Sequence, residues 1–177
     1  MMANALSIGR GLLALPFAWA MSSASGSAAV AAAFLLGIAI ASDLLDGRLA
    51  RRRGTVSPLG GILDHGADFC FVMAGLVAGA GRGIFPAALP ICVAVAFAQY
   101  VIDSYWLHRK GSLRMSALGR WNGVLYFAPL VGDALARLAV PALAPLVTLL
   151  AWALVVTTLL SIGDRALALR ARKADAA

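Results

Sequence analysis

A chain of 177 residues that is 62% hydrophobic and 13% charged, with a mean hydropathy of +0.87, falls outside the water-soluble globular class. Its net charge of +7 comes without the aromatic-basic platform of a nucleic-acid binder, so anionic lipid headgroups are the expected counterpart and nucleic acid is not. Because about 20 apolar residues cross a bilayer, residues 1–177 accommodate one membrane domain and almost no soluble one.

Six helices are expected in chain order, over 5–21, 27–46, 58–79, 84–107, 117–137 and 142–165, giving an all-α integral membrane fold with six transmembrane helices. In the first, Arg10 precedes the apolar stretch Gly11 to Ala20 and the small residues Ser22 to Ala24, a pattern shared with secretory leaders. Cleavage would leave five spans and break the alternation of loop charges, so the segment is read as a retained helix. Cys70 and Cys92 fall in apolar runs and read as small buried hydrophobes.

The basic residues orient these helices. Arg48, Arg51, Arg52 and Arg53 follow the second; Arg109, Lys110, Arg114 and Arg120 separate the fourth from the fifth; Arg165, Arg170, Arg172 and Lys173 form the tail. Arg82 and Arg137 alone fall on the opposite side. Short cytoplasmic loops collect Lys and Arg, so both termini are expected in the cytoplasm of a bacterial or archaeal type of cell, in a multi-pass protein of its cytoplasmic membrane.

Four aspartates sit where the second and third helices meet the cytoplasmic face. Asp43, Asp46 and Ala50 follow i, i+3, i+7 spacing and share one helix face; Gly60, Asp64 and Asp68 follow i, i+4, i+8 and share another. Ser57 and Pro58 read as the N-cap and first residue of the third helix. A charge in the middle of a spanning helix costs roughly 2.5 to 3.5 kcal/mol, and four carboxylates converging in a low-dielectric cleft require cations. Hard oxygen ligands suit Mg²⁺ or Mn²⁺, and one or two ions are implied. Gly47, Ala50 and Gly60 lack bulk and would let a nucleotide or diphosphate approach the backbone, with the Arg51 fork available to a phosphate.

The full string Asp43-x2-Asp46-Gly47-x2-Ala50-Arg51-x8-Gly60-x3-Asp64-x3-Asp68 resembles, at every fixed position, the signature of the class I CDP-alcohol phosphotransferase family. Asn4-x2-Ser7-x2-Arg10 resembles the family's opening Asn-x2-Thr-x2-Arg, and Ser116-Ala117-Leu118-Gly119-Arg120 resembles its Ser-x2-Gly-Lys, each with one conservative exchange. The resemblance implies an active site at the cytoplasmic membrane face and a homodimer. It implies an enzyme of phospholipid synthesis in which an alcohol hydroxyl displaces CMP from a CDP-linked donor, usually CDP-diacylglycerol. By the same likeness Asp43, Asp46 and Asp64 are the chief metal ligands, Asp68 is a further ligand or the base, and Ser7 joins the diphosphate contacts.

For the acceptor, a small polar alcohol bearing a phosphate, such as glycerol 3-phosphate or inositol phosphate, would call on Arg114 and Arg120. The plain alternative is that these cations touch only headgroups. Ser57-Pro58-Leu59-Gly60 followed by Asp64-His65-Gly66 also resembles the choline and ethanolamine phosphotransferase branch, in which a CDP-aminoalcohol donates to diacylglycerol. Trp106, Tyr105 and Trp121 would have to supply its cation cage, whereas aromatics at that depth normally form an interfacial belt. His65, about 100° round from the acid face, reads as a packing or hydrogen-bonding histidine and not a ligand, and Gly75-x3-Gly79 as close packing within or between subunits. A cation-coupled carrier is the alternative from another class, disfavoured because its acids would sit at the membrane midplane.

Overall fold

The structure, a computed structural model, describes the backbone of residues 2–53, 58–106 and 117–174, and within these the side chains of residues 8–45, 65–102 and 118–168. The elements are α1 (Met2–Ser22), α2 (Gly26–Arg53), α3 (Pro58–Gly81), α4 (Ala88–Trp106), α5 (Ala117–Leu125), α6 (Phe127–Leu138), a 3₁₀ turn (Pro141–Leu143) and α7 (Ala144–Ala174). No strand occurs among the described residues.

The differences from the sequence expectation have local causes. The fifth expected helix, 117–137, is broken at Tyr126 into α5 and α6. Pro129 lacks the N–H that would bond the Leu125 carbonyl, and its ring crowds that carbonyl, so the ladder stops after Tyr126 donates to Asn122 at 3.0 Å. The fourth helix starts at Ala88 because α3 closes on a Schellman turn first. There Gly83, at φ 77, donates to Ala80 at 2.9 Å while Ile84 donates to Gly79 at 3.1 Å. In contrast, α2 and α7 overrun their apolar segments to Arg53 and Ala174, since backbone hydrogen bonding continues after the side chains turn polar.

Packing centres on α1 and α3. Phe17 stacks on Phe71 with ring centroids 4.3 Å apart, and Met21, Leu76, Leu89 and Leu130 are wholly buried around them. Gly75 permits this approach: a Cβ there would stand 2.5 Å from Phe17 Cε1 and 2.8 Å from Leu130 Cδ2, while one at Gly79 would meet the Phe85 ring. The Gly-x3-Gly step therefore serves contacts inside the subunit. The outer surface is apolar instead of polar, with Leu15 78% and Phe34 68% exposed and Cys70 exposed among them, against the expectation that this thiol is buried. Among the described residues, two helical segments, Gly26–Leu45 and Pro141–Ala168, are long and apolar enough to cross a membrane. An apolar exterior suits lipid, where the bundle is held by close packing and internal polar contacts because lipid is as apolar as the side chains.

The bundle has two polar ends. At one, Arg10 of α1 meets Asp43 of α2 and Asp68 of α3. At the other, Arg82 and Arg137 share Asp133, and Arg137 Nη1 donates to the carbonyls of Ala20 at 3.1 Å and Ser23 at 2.8 Å. Thr148 Oγ1 donates to the Ile84 carbonyl at 3.2 Å, placing the start of α7 at this second end. Consequently α1 starts, and α7 finishes, on the side of the aspartates.

Candidate active site

The Arg10 side chain is completely buried on α1, where an unpaired guanidinium would be very costly. The cost is offset by contacts from two other helices. Nη1 bonds Oδ1 of Asp68 and lies 3.5 Å from Oδ1 of Asp43, while Nε donates to Ser42 Oγ at 3.3 Å. Ser42 is held in turn by donating to the Ala39 carbonyl at 2.9 Å. One guanidinium thus ties α1, α2 and α3 together and draws two motif carboxylates to a common point.

Neither acid is sealed in. The Asp43 side chain is 50% exposed and that of Asp68 26%, and both open onto a cavity of about 660 Å³. Phe69 stacks on Phe97 at 3.9 Å, fixing α3 against α4 beside Asp68. One turn away His65 meets Tyr100 edge-on at 5.9 Å, and Arg165 of α7 lies over the other side of the wall, 5.9 Å from the Tyr100 ring centroid. Gly119 lets α5 approach α7 here: a Cβ would be 3.1 Å from Ser161 Oγ and 3.3 Å from Arg165 Nη2. Arg120 also lines the cavity, whose remaining wall is largely apolar, with Val72, Val93 and Phe127 among its residues. A polar seam braces α5 and α7 behind it, with Tyr126 Oη and Thr158 Oγ1 2.8 Å apart and Thr157 donating to Asn122 Oδ1 at 3.1 Å.

Of the expected site residues, Asp43, Asp68 and Arg120 are brought to this cavity. Asp46, Gly47, Ala50 and Arg51 continue α2, Gly60 and Asp64 precede Asp68 on α3, and Ser7 lies on α1 one turn before Arg10; their side chains are outside the described set. Ser57 and Arg114 lie outside the described residues altogether. His65 is exposed on the cavity wall with its ring edge-on to Tyr100, in keeping with the packing role expected of it. Arg10, Tyr100, Ser161 and Arg165 were not among the expected site residues. Arg165 was counted only as a tail charge, and Arg10 entered as the last residue of the opening Asn4-x2-Ser7-x2-Arg10 string, although an arginine inside an apolar helix is itself a signal of a functional partner.

Among the described residues no group of three or more His, Cys, Asp or Glu side chains gathers. The donor set nevertheless fits a hard divalent cation. Oδ1 of Asp43 and Oδ1 of Asp68 both face the position of one cationic nitrogen, and carboxylate oxygens are the ligands such ions take.

Comparison with known proteins agrees with the motif. The cardiolipin synthase (CMP-forming) of Streptomyces coelicolor is 35% identical over 80 residues, a stretch covering 45% of this chain and 37% of that protein. The sequence model of the CDP-alcohol phosphatidyltransferases matches residues 1–163, spanning all four motif aspartates, the buried Arg10 and the cavity lining apart from Arg165. The chain belongs to the CDP-alcohol phosphatidyltransferase family.

Proposed function

We propose that the protein transfers a phosphatidyl group from CDP-diacylglycerol to the hydroxyl of a small polar alcohol and releases CMP. The observation that carries this reading is the pair of motif carboxylates, Asp43 and Asp68, drawn together at a mostly apolar cavity. Such a cavity accepts the lipid part of the donor while its charged end serves the diphosphate. Mg²⁺ or Mn²⁺, one ion or two, would be held by Asp43, Asp46, Asp64 and Asp68 and, when bound, would supply charge stabilisation at the diphosphate. Gly47, Ala50 and Gly60 leave room for the nucleotide beside Arg51 and Ser7. Asp68 takes the proton of the acceptor hydroxyl; the new bond joins that oxygen to the phosphatidyl phosphorus, and the bond to the CMP oxygen breaks. Arg120 and Arg165 line the same cavity and favour an acceptor that carries a phosphate, of the glycerol 3-phosphate or inositol phosphate type.

The protein is read as spanning the cytoplasmic membrane six times, with both termini cytoplasmic, and as working as a homodimer. The latter rests on family likeness; the Gly75 face is occupied within the subunit and does not supply the contact. A second reading, in which the acceptor alcohol is itself a lipid, is favoured by the apolar cavity wall and by the likeness to a cardiolipin synthase.

The test is CMP release by purified protein in detergent, with Mg²⁺ or Mn²⁺ and CDP-diacylglycerol, across glycerol 3-phosphate, inositol phosphate, inositol, serine and a phosphatidyl alcohol. Stimulation by one soluble acceptor, lost with chelator, supports the first reading; stimulation by the lipid alcohol alone supports the second. If none stimulates, CDP-choline or CDP-ethanolamine with diacylglycerol replaces the donor, and failure there too sinks the transferase reading.

A further inference from the structure

Arg10 draws on the same oxygens that a divalent cation needs. Nη1 contacts Oδ1 of Asp68 and stands 3.5 Å from Oδ1 of Asp43, from the buried side, whereas the cavity reaches both acids from the other. Two positive centres sharing one carboxylate oxygen repel strongly at part-buried distances. A guanidinium and a divalent ion therefore compete for these oxygens, and each weakens the hold of the other by the same factor.

We propose that Arg10 is an exchangeable counter-cation, a positioning residue that holds Asp43 and Asp68 together and yields their oxygens when a divalent cation binds. The inference rests on the metal-dependent reading above. Ser42 makes the exchange local. Because its hydroxyl accepts from Nε at 3.3 Å while donating to the Ala39 carbonyl at 2.9 Å, the guanidinium can turn about Nε without leaving the site. The arrangement has two uses. Arg10 keeps the acids convergent, and it raises the concentration of metal required to fill the site.

The experiment is calorimetric titration of Mn²⁺ into the purified protein in detergent, without donor or acceptor, for the wild type, Arg10→Gln, Ser42→Ala and Asp43→Asn. A saturable site is expected in the wild type, weakened in Asp43→Asn, and about fivefold or more tighter in Arg10→Gln. Ser42→Ala should bind more tightly too, by less. Thermal unfolding in chelator should find Arg10→Gln less stable than the wild type, with Mn²⁺ recovering the deficit. A purely structural Arg10 gives equal or weaker Mn²⁺ binding on removal, and that result overturns the exchange while leaving the metal site standing. Absence of Mn²⁺ binding in the wild type overturns the metal reading and the exchange with it. Should Arg10→Gln fail to fold, Ser42→Ala decides: tighter binding supports the exchange, and unchanged or weaker binding overturns it.

Discussion

The two polar ends of this bundle use the same residue types for different purposes. At one end the buried Arg10 faces two aspartates, with Arg120 and Arg165 on the same cavity, and the two remaining motif acids lie one turn along the same helices. At the other end, among the described residues, Arg82 and Arg137 share Asp133. There the surplus positive charge is met by the carbonyls of Ala20 and Ser23 at the end of α1, where helix termination leaves acceptors unsatisfied and the dipole is negative. Asp133 is sealed, with its side chain 4% exposed, whereas Asp43 is half exposed on a cavity. An ion pair alone does not mark a site. Convergent acids, left accessible beside a cavity, do.

This contrast is easiest to break at the acids themselves. Asp68→Asn keeps the shape and removes the proton acceptor, and CMP release should fall by about a hundredfold or more with the protein still folded in membranes. Asp133→Asn should do the opposite. It leaves two buried arginines without their carboxylate, so thermal unfolding in detergent should report a loss of about 3 kcal/mol, while CMP release per folded molecule stays near wild type. Gly75→Ala presses a methyl against Phe17 and Leu130, with an expected cost of about 1–3 kcal/mol in the same unfolding measurement. The smallest change belongs to the cavity rim. Arg120→Ala should raise the KM for a phosphate-bearing acceptor by about tenfold, the worth of one charge-assisted hydrogen bond, and leave that for an uncharged alcohol unmoved.

Much of this was legible in the residues. Acids at i, i+3 and i, i+4 spacing can be placed on helix faces without a structure, and the family motif runs through them. Arg82 and Arg137, set apart by charge counting, do lie together. Arg10 and Arg165 were visible too, but a rule that counts loop charges cannot say that one is buried between three helices and the other lies against Tyr100. That information is tertiary. The break at Tyr126 was available from Pro129, yet hydropathy is continuous across it and conceals it. His65 shows the limit of a helical wheel: α4 brings Tyr100 to meet it at the cavity that Asp68 also lines, which spacing along one helix cannot tell.

The most direct measurement compares CMP release by Asp68→Asn and Asp133→Asn, each purified in detergent and assayed with CDP-diacylglycerol, divalent metal and the preferred acceptor at a temperature where both are folded. A functional end and a scaffolding end require Asp68→Asn to be nearly silent while Asp133→Asn turns over like the wild type per folded molecule. Near-wild-type turnover in Asp68→Asn, or equal loss in both variants, would contradict that division of the molecule.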